Sequence, residues 1–256
     1  MNKGIGIAGI GGRMGRLLAE EVTAAGATLV GGIERGGVAV PPDVKLFDDI
    51  GALARAADVV LEFTHASTAV PHARAIAEAG TAWVLGTTGL GAADEAAVAE
   101  AAQQAPIVYA ANFSPGVNLV LALAEQMARA LPAEQYDAEI LEMHHRQKVD
   151  APSGTAVAMG RAVAKGRGVN LDEQKESGRD GHTGARRTGG IGFAALRGGQ
   201  VVGEHTLLFA AATEHIALTH RAFDRRAFAT GAVRAALWVA GRKAGLYSMM
   251  DVLGMR

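Results

Sequence analysis

The chain has 256 residues, enough for one large domain or two modest ones with a substantial core. It contains no cysteine, which excludes disulfides, thiolate zinc sites and cysteine nucleophiles. Its 25 basic and 26 acidic residues leave a net charge of −1, which argues against nucleic acid or an anionic membrane surface as the main partner.

Gly4-Ile5-Gly6-Ile7-Ala8 reads as a buried strand rather than a secretory signal. No apolar stretch approaches the roughly 20 residues of a membrane helix, so a soluble cytoplasmic protein is expected. An amphipathic helix follows over 14–25, then a strand over 28–33 and another over 58–63. Residues 67–79 read as helix, 81–85 as strand, 93–104 as helix and 107–110 as strand. Strands alternating with helices imply βαβ units, a parallel sheet and an α/β doubly wound fold.

Near Asn112-Phe113-Ser114-Pro115-Gly116 the pattern changes. A long helix over 117–130 precedes a strand over 137–143, a histidine-rich loop and a helix over 155–165. The polar, Gly-rich stretch 166–190 reads as a long loop. Strands over 191–196 and 201–209 flank Arg197-Gly198-Gly199-Gln200, which reads as a hairpin. One more strand, 215–219, completes an α+β second domain of successive antiparallel strands. Asp224 then caps a helix over 225–242, whose apolar face includes Phe228, Val233, Leu237 and Trp238 and should pack on the first domain. The expected division is 1–114 plus 224–256 as dinucleotide-binding domain, and 115–223 as second domain.

The first turn reads Gly9-Ile10-Gly11-Gly12-Arg13-Met14-Gly15. Glycines 9, 12 and 15 give GxxGxxG; the GxGxxG frame fails at Met14. The spacing allows a tight turn, close backbone approach to a pyrophosphate and close helix–strand packing. The motif alone is weak. Here it joins a strand to a helix, and Glu34 follows the second strand about where an acid should grip a ribose. A carboxylate there accepts from the 2′-OH of NAD, and Arg35 can pair a 2′-phosphate, so either cofactor, NADH or NADPH, is accommodated. For Arg35 a solvated ion pair is an equal alternative. Gly86-Thr87-Thr88-Gly89 follows a strand on the same rim and should line the nicotinamide side. Phe63-Thr64 shares that rim, and Ala110-Ala111-Asn112-Phe113 forms a cofactor edge at the hinge.

The most informative stretch runs from Glu142 to Thr155, EMHHRQKVDAPSGT. Histidine is the usual proton donor near neutral pH. His144 and His145 are neighbours, so in extended backbone they point to opposite sides and at most one faces the reacting atoms. Lys148 can supply a fixed positive charge; Arg146 is open to pairing with Asp150 or Glu142. Ser153 reads as a helix N-cap, and the start Ser153-Gly154-Thr155 is a seat for a carboxylate. Arg179, His182, Arg186, Arg187 and Arg197 read mostly as a solvated basic set, His205 and His220 as structural, and His65 and His72 as exposed.

These blocks resemble the 4-hydroxy-tetrahydrodipicolinate reductase (dihydrodipicolinate reductase) family. The matching pieces are GIGGRMGR at 9–16, GTTG at 86–89, AANFSPG at 110–116, the block from Glu142 to Thr155, Ile191-Gly192-Phe193 with Arg197-Gly198-Gly199, and VGEHTLLF at 202–209. The resemblance implies a Rossmann-type domain, a substrate domain whose sheet builds a homotetramer, and reduction of a small cyclic dicarboxylate by NADH or NADPH. It implies His144 as catalytic acid assisted by Lys148, and His145, Ser153, Gly154 and Thr155 as substrate-binding. It also implies cofactor contacts from Gly9, Ile10, Gly11, Gly12, Arg13, Met14, Glu34, Arg35, Gly86, Thr87, Thr88, Ala110, Ala111, Asn112 and Phe113. Two departures bear on it: the segment from Gly36 to Asp43 is short, which touches the adenosine edge, and Pro115 stands at the hinge. Rival readings are another imine or amino-dicarboxylate oxidoreductase, which would change the HHRxK block, and a silent NAD(H) sensor, which would lack proton donors.

Overall fold

The structure is a computed structural model that describes residues 2–36 and 38–255. Gly37, inside the short segment after Arg35, lies outside the described residues. The chain forms two compact units, Met1–Pro115 with Arg226–Arg256, and Gly116–Arg225.

In chain order the elements are β1 (Gly4–Ala8), α1 (Arg13–Ala24), β2 (Thr28–Ile33), α2 (Ile50–Ala56), β3 (Val59–Glu62), α3 (Ala69–Ala79), β4 (Ala82–Leu85), α4 (Ala92–Ala101), β5 (Pro106–Tyr109) and α5 (Pro115–Ala130). Then follow β6 (Asp137–His144), α6 (Gly154–Arg167), α7 (Leu171–Gln174), β7 (Lys175–Ser177), β8 (Ile191–Arg197), β9 (Gly203–Ala210) and β10 (His215–Ala222). The chain closes with α8 (Arg226–Val239), β11 (Gly245–Tyr247) and α9 (Met249–Leu253).

The first unit has the expected doubly wound sheet, parallel throughout, in the order β11-β5-β4-β3-β1-β2. Its strands are nearly continuous apolar runs because both faces are covered. One face packs Ile5, Ile7, Leu61 and Val84 against α1, α8 and α9, and the other packs Val60, Trp83 and Ile107 against α2, α3 and α4. The order reverses beside β1, which places a crevice at the carboxyl ends of β1 and β3. Helix α2, absent from the sequence reading, starts where the Asp49 carboxylate accepts from the Ala52 N–H at 2.7 Å. The buried face of α8 matches the expected one at Val233 and, at its edge, Trp238, but not at Leu237. It consists of Ala229, Ala232, Val233, Ala235, Ala236 and Val239, while Leu237 is exposed and Trp238 packs edge-on against Tyr247. Small residues are needed where the helix meets backbone closely; a Cβ on Gly231 would fall 1.8 Å from the Phe113 carbonyl oxygen.

The second unit has a mixed sheet in the order β10-β9-β6-β8-β7. Two expectations fail here. Strands β8 and β9 are not a hairpin, since β6 lies between them, parallel to β8 and antiparallel to β9. The Gly-rich turn instead arches over the end of β6, with the Gly198 N–H donating to His144 O at 2.9 Å and the Arg146 N–H to Gly199 O at 3.3 Å. Residues 166–190 are not a bare loop either. They contain α7 and β7, and Arg186 is pinned to Asp137, Glu139 and the Ala138 and Gly190 carbonyls. Arg179 forks onto Glu139 and reaches Glu176. Helices α5 and α6 cover one face over Ala138, Ile140, Phe193, Leu207 and Phe209.

Candidate active site

In the first unit the cofactor residues expected from sequence gather at the carboxyl ends of β1, β2, β4 and β5. Gly9 turns with φ +80° and donates its N–H to Ile33 O at 2.9 Å. A Cβ on Gly15 would fall 2.0 Å from Gly9 O, so only glycine lets α1 start this close to the strand. No side chain caps α1 and its first turn carries no acid, which leaves the positive end of the helix to face an anion. Ile10 and Gly11 are buried, Met14 is half-buried, and Gly12 and Arg13 are exposed. The Glu34 carboxylate accepts from the Gly11 N–H at 2.7 Å and the Arg35 N–H at 2.8 Å, so the acid sits over the turn. Arg35 is exposed, and its contact with the Glu34 carboxylate is through its backbone N–H.

On the same rim a Cβ on Gly86 would overlap the Phe63 ring, which packs edge-on against Phe113 at 5.5 Å. Thr87 is buried and accepts from the Thr64 N–H at 3.1 Å, while Thr88 and Ala111 are exposed. The Ala110 N–H donates to Leu85 O at 3.3 Å, and the Asn112 carboxamide accepts from the Ser114 N–H at 2.8 Å. Beneath the rim lies a group the sequence reading missed. The fully buried Glu62 carboxylate pairs with His72 at 2.8 Å and accepts from Trp83 Nε1 at 3.1 Å and the hydroxyls of Thr64 and Thr68. His72 is thus paired and mostly buried, contrary to expectation, whereas His65 is exposed.

In the second unit, strand alternation puts Glu142 and His144 on the helix-covered face of β6. His144 Nδ1 donates to Glu142 Oε2 at 2.5 Å, and Arg197 grips both oxygens of Glu142 at 2.8 and 2.9 Å. The Ser153 N–H adds a third donor at 3.1 Å. Burial pushes the Glu142 carboxyl up, but Arg197, His144 and Ser153 outweigh it and hold the group below the ordinary carboxylate range. Burial pushes the His144 imidazole down; Glu142 opposes this, and the positive charges of Lys148 and Arg197 add to it. With Nδ1 committed to Glu142, Nε2 is the atom left for a reacting partner, and it faces Gly203, where a Cβ would approach to 3.0 Å.

Lys148 pairs with Asp150 at 2.8 Å, so neither Asp150 nor Glu142 is the partner of Arg146, which is exposed. His145 is half-buried, and its Nδ1 has no hydrogen-bond partner among the described residues. Ser153 is the N-cap expected: its Oγ accepts from the Ala156 N–H at 3.2 Å, and the first turn of α6 carries no acid. Gly154 is exposed and Thr155 half-buried at that helix start. His205 comes from β9, with Nε2 2.9 Å from Ser153 Oγ and its ring edge-on to His144 at 5.0 Å. Sequence reasoning assigned no site role to Glu142, Arg197 or His205. The Glu-x-His spacing on a strand was the one local signal; Arg197 and His205 lie 55 and 52 positions from their partners.

Two family descriptions match the chain: dihydrodipicolinate reductase, N-terminus, over residues 3–113, and dihydrodipicolinate reductase, C-terminus, over 116–253. A 4-hydroxy-tetrahydrodipicolinate reductase of Granulibacter bethesdensis is 68% identical over 254 residues, 98% of this chain and 97% of the relative. The Gluconacetobacter diazotrophicus protein of the same name is 64% identical over 251 residues, covering 98% and 97%. Among solved structures, a dipicolinate-bound dihydrodipicolinate reductase from Paenisporosarcina sp. TG-14 shares the fold with a TM-score of 0.81 at 24% identity, covering 98% of this chain and 99% of that one.

Proposed function

The chain belongs to the dihydrodipicolinate reductase family, and on that premise we propose that it reduces 4-hydroxy-tetrahydrodipicolinate to tetrahydrodipicolinate with NADH or NADPH, on the diaminopimelate route to lysine, as a cytoplasmic homotetramer. The observation that carries this reading is the buried Glu142–His144–Arg197 network beside an acid-free helix start. It offers a proton donor and a carboxylate seat in one place.

In the first unit Gly9 to Met14 would hold the pyrophosphate, Glu34 the ribose, Arg35 a 2′-phosphate, and Gly86 to Thr88 with Ala110 to Phe113 the nicotinamide side. The glycine cradle and the uncapped α1 fit such a ligand. Bound there, the dinucleotide supplies a hydride, destined for C4 of the ring once water has left.

The residues of the second unit do the rest. His145 and the amides at Ser153, Gly154 and Thr155 bind the two carboxylates. Glu142 orients the imidazole and stabilises its charged form, and Lys148 offsets negative charge on the substrate. In the free protein burial and two cations bias the His144 ring against its charged form. A bound dianion reverses that bias, so the ring gains its proton where it is used. His144 Nε2 then protonates the carbon next to C4.

An apolar surface supports the assembly. On the face of the second sheet opposite α5 and α6, Leu141 and Leu196 are 45% and 50% exposed, and Met143 pairs in register with Leu196. The activity is tested by following NADPH and NADH oxidation with freshly made product of dihydrodipicolinate synthase. Oxidation dependent on that product is expected; none with either nucleotide would remove the reading.

A further inference from the structure

His205 lies outside every role assigned above, yet it touches both halves of the second unit's site. It is 5% exposed, comes from a different strand, and contacts the cap of α6 on one side and the proton donor's ring on the other. Its two ring nitrogens are unlike. Nε2 is 2.9 Å from Ser153 Oγ, while Nδ1 is buried with no hydrogen-bond partner among the described residues.

A neutral imidazole carries one N–H, which goes to Nε2 or to Nδ1. A proton on Nδ1 would be a buried donor with no partner among the described residues, at a cost typical of an unsatisfied group. A proton on Nε2 is donated to Ser153 Oγ. That oxygen also accepts from the Ala156 N–H, so both its lone pairs are then used. The hydroxyl proton of Ser153 then has no acceptor among the described residues and is committed to donate elsewhere. An anion seated at the start of α6 would be such an acceptor.

We propose that His205 is a positioning residue: as an Nε2–H donor it fixes Ser153 as an outward hydroxyl donor to the substrate's carboxylate, and its ring braces His144 edge-on. The proposal rests on the reading that the α6 start binds that carboxylate. It predicts that residue 205 acts on dicarboxylate affinity through Ser153 and on turnover through His144, two effects a purely structural residue would not separate. His205→Gln keeps an N–H donor where Nε2 stands and loses the ring. His205→Met loses both.

The probe is pyridine-2,6-dicarboxylate, titrated calorimetrically into the NADH-loaded full chain, with turnover measured alongside. Ser153→Ala and His205→Met should each weaken binding roughly 10- to 100-fold, and the double variant should lose no more than either alone. His205→Gln should restore affinity to within about threefold of wild type while kcat stays reduced. Full additivity in the double variant, or wild-type affinity in His205→Met, would overturn the proposal. Nitrogen-15 spectra of histidine-labelled wild type test it independently of affinity, the signal being assigned by its loss in His205→Gln. Protonated Nε2 with bare Nδ1 is expected, and the opposite tautomer sinks it. If wild type neither binds the dicarboxylate nor turns over substrate, the reading of the whole site fails; wild-type binding with an indifferent residue 205 removes this inference alone.

Discussion

The two candidate sites of this chain are built from different materials. The rim of the first unit is mostly backbone: glycines whose Cβ positions are filled by neighbouring atoms, an uncapped helix start, and one carboxylate laid over the turn. The site of the second unit is mostly side chain, with a buried carboxylate held by an arginine, a histidine and a backbone amide. A site of backbone tolerates change at single side chains and fails when its glycines change. A site of buried charge fails when any one partner is removed, because the others are left unpaired in a low-dielectric setting.

The contrast can be broken by substitution. The largest effect is expected from His144→Gln, which should lower turnover by on the order of 100- to 10,000-fold while NADPH affinity, measured by fluorescence titration, stays at the wild-type level. Unchanged turnover would exclude His144 as donor. Next is Glu142→Leu, which strands Arg197 and His144. Denaturant unfolding should show a loss of about 3 to 5 kcal/mol, and a loss below about 1 would mean the network is not the buried unit described.

A pH effect of similar size comes from His205, whose imidazole burial, with His144 nearby, pushes down to about 4. The unfolded chain binds the proton near the ordinary histidine value and the folded chain resists it. Its contribution is therefore complete above about pH 6.5 and is lost as pH falls towards 4, on the order of 3 kcal/mol. His205→Gln should flatten the stability profile in that window, and an unaltered slope would assign it to other groups. The smallest effect belongs to the backbone-built rim. Arg35→Ala should weaken NADPH by roughly tenfold or less and NADH hardly at all. Equal losses for the two cofactors would remove the phosphate assignment.

The same contrast explains what the sequence made legible. The rim is local in the chain, so strand, glycine turn and helix start could be read as one motif, and the Glu34 carboxylate lies over that turn. The network is not local. Glu142 meets Arg197 across 55 positions, and Ser153 meets His205 across 52, so neither pair leaves a spacing to recognise. The false hairpin has the same origin. Arg197-Gly198-Gly199-Gln200 has the residues of a tight turn, but β8 is held by a parallel partner far upstream, and the turn serves to straddle β6. Local chemistry also described the buried stripe of α8 only in part: Val233 and Trp238 pack as expected, Leu237 does not, and four alanines complete the face.

One consequence follows from how the first unit is divided along the chain. Strand β11 and helices α8 and α9 close its sheet and one of its two cores, yet they are specified after residue 225. During synthesis the contiguous second unit can finish while the nucleotide half still waits, its apolar sheet face uncovered. The nascent polypeptide can therefore complete its buried Glu142–His144–Arg197 network before its doubly wound sheet is closed, and any chaperone demand should centre on that delayed half.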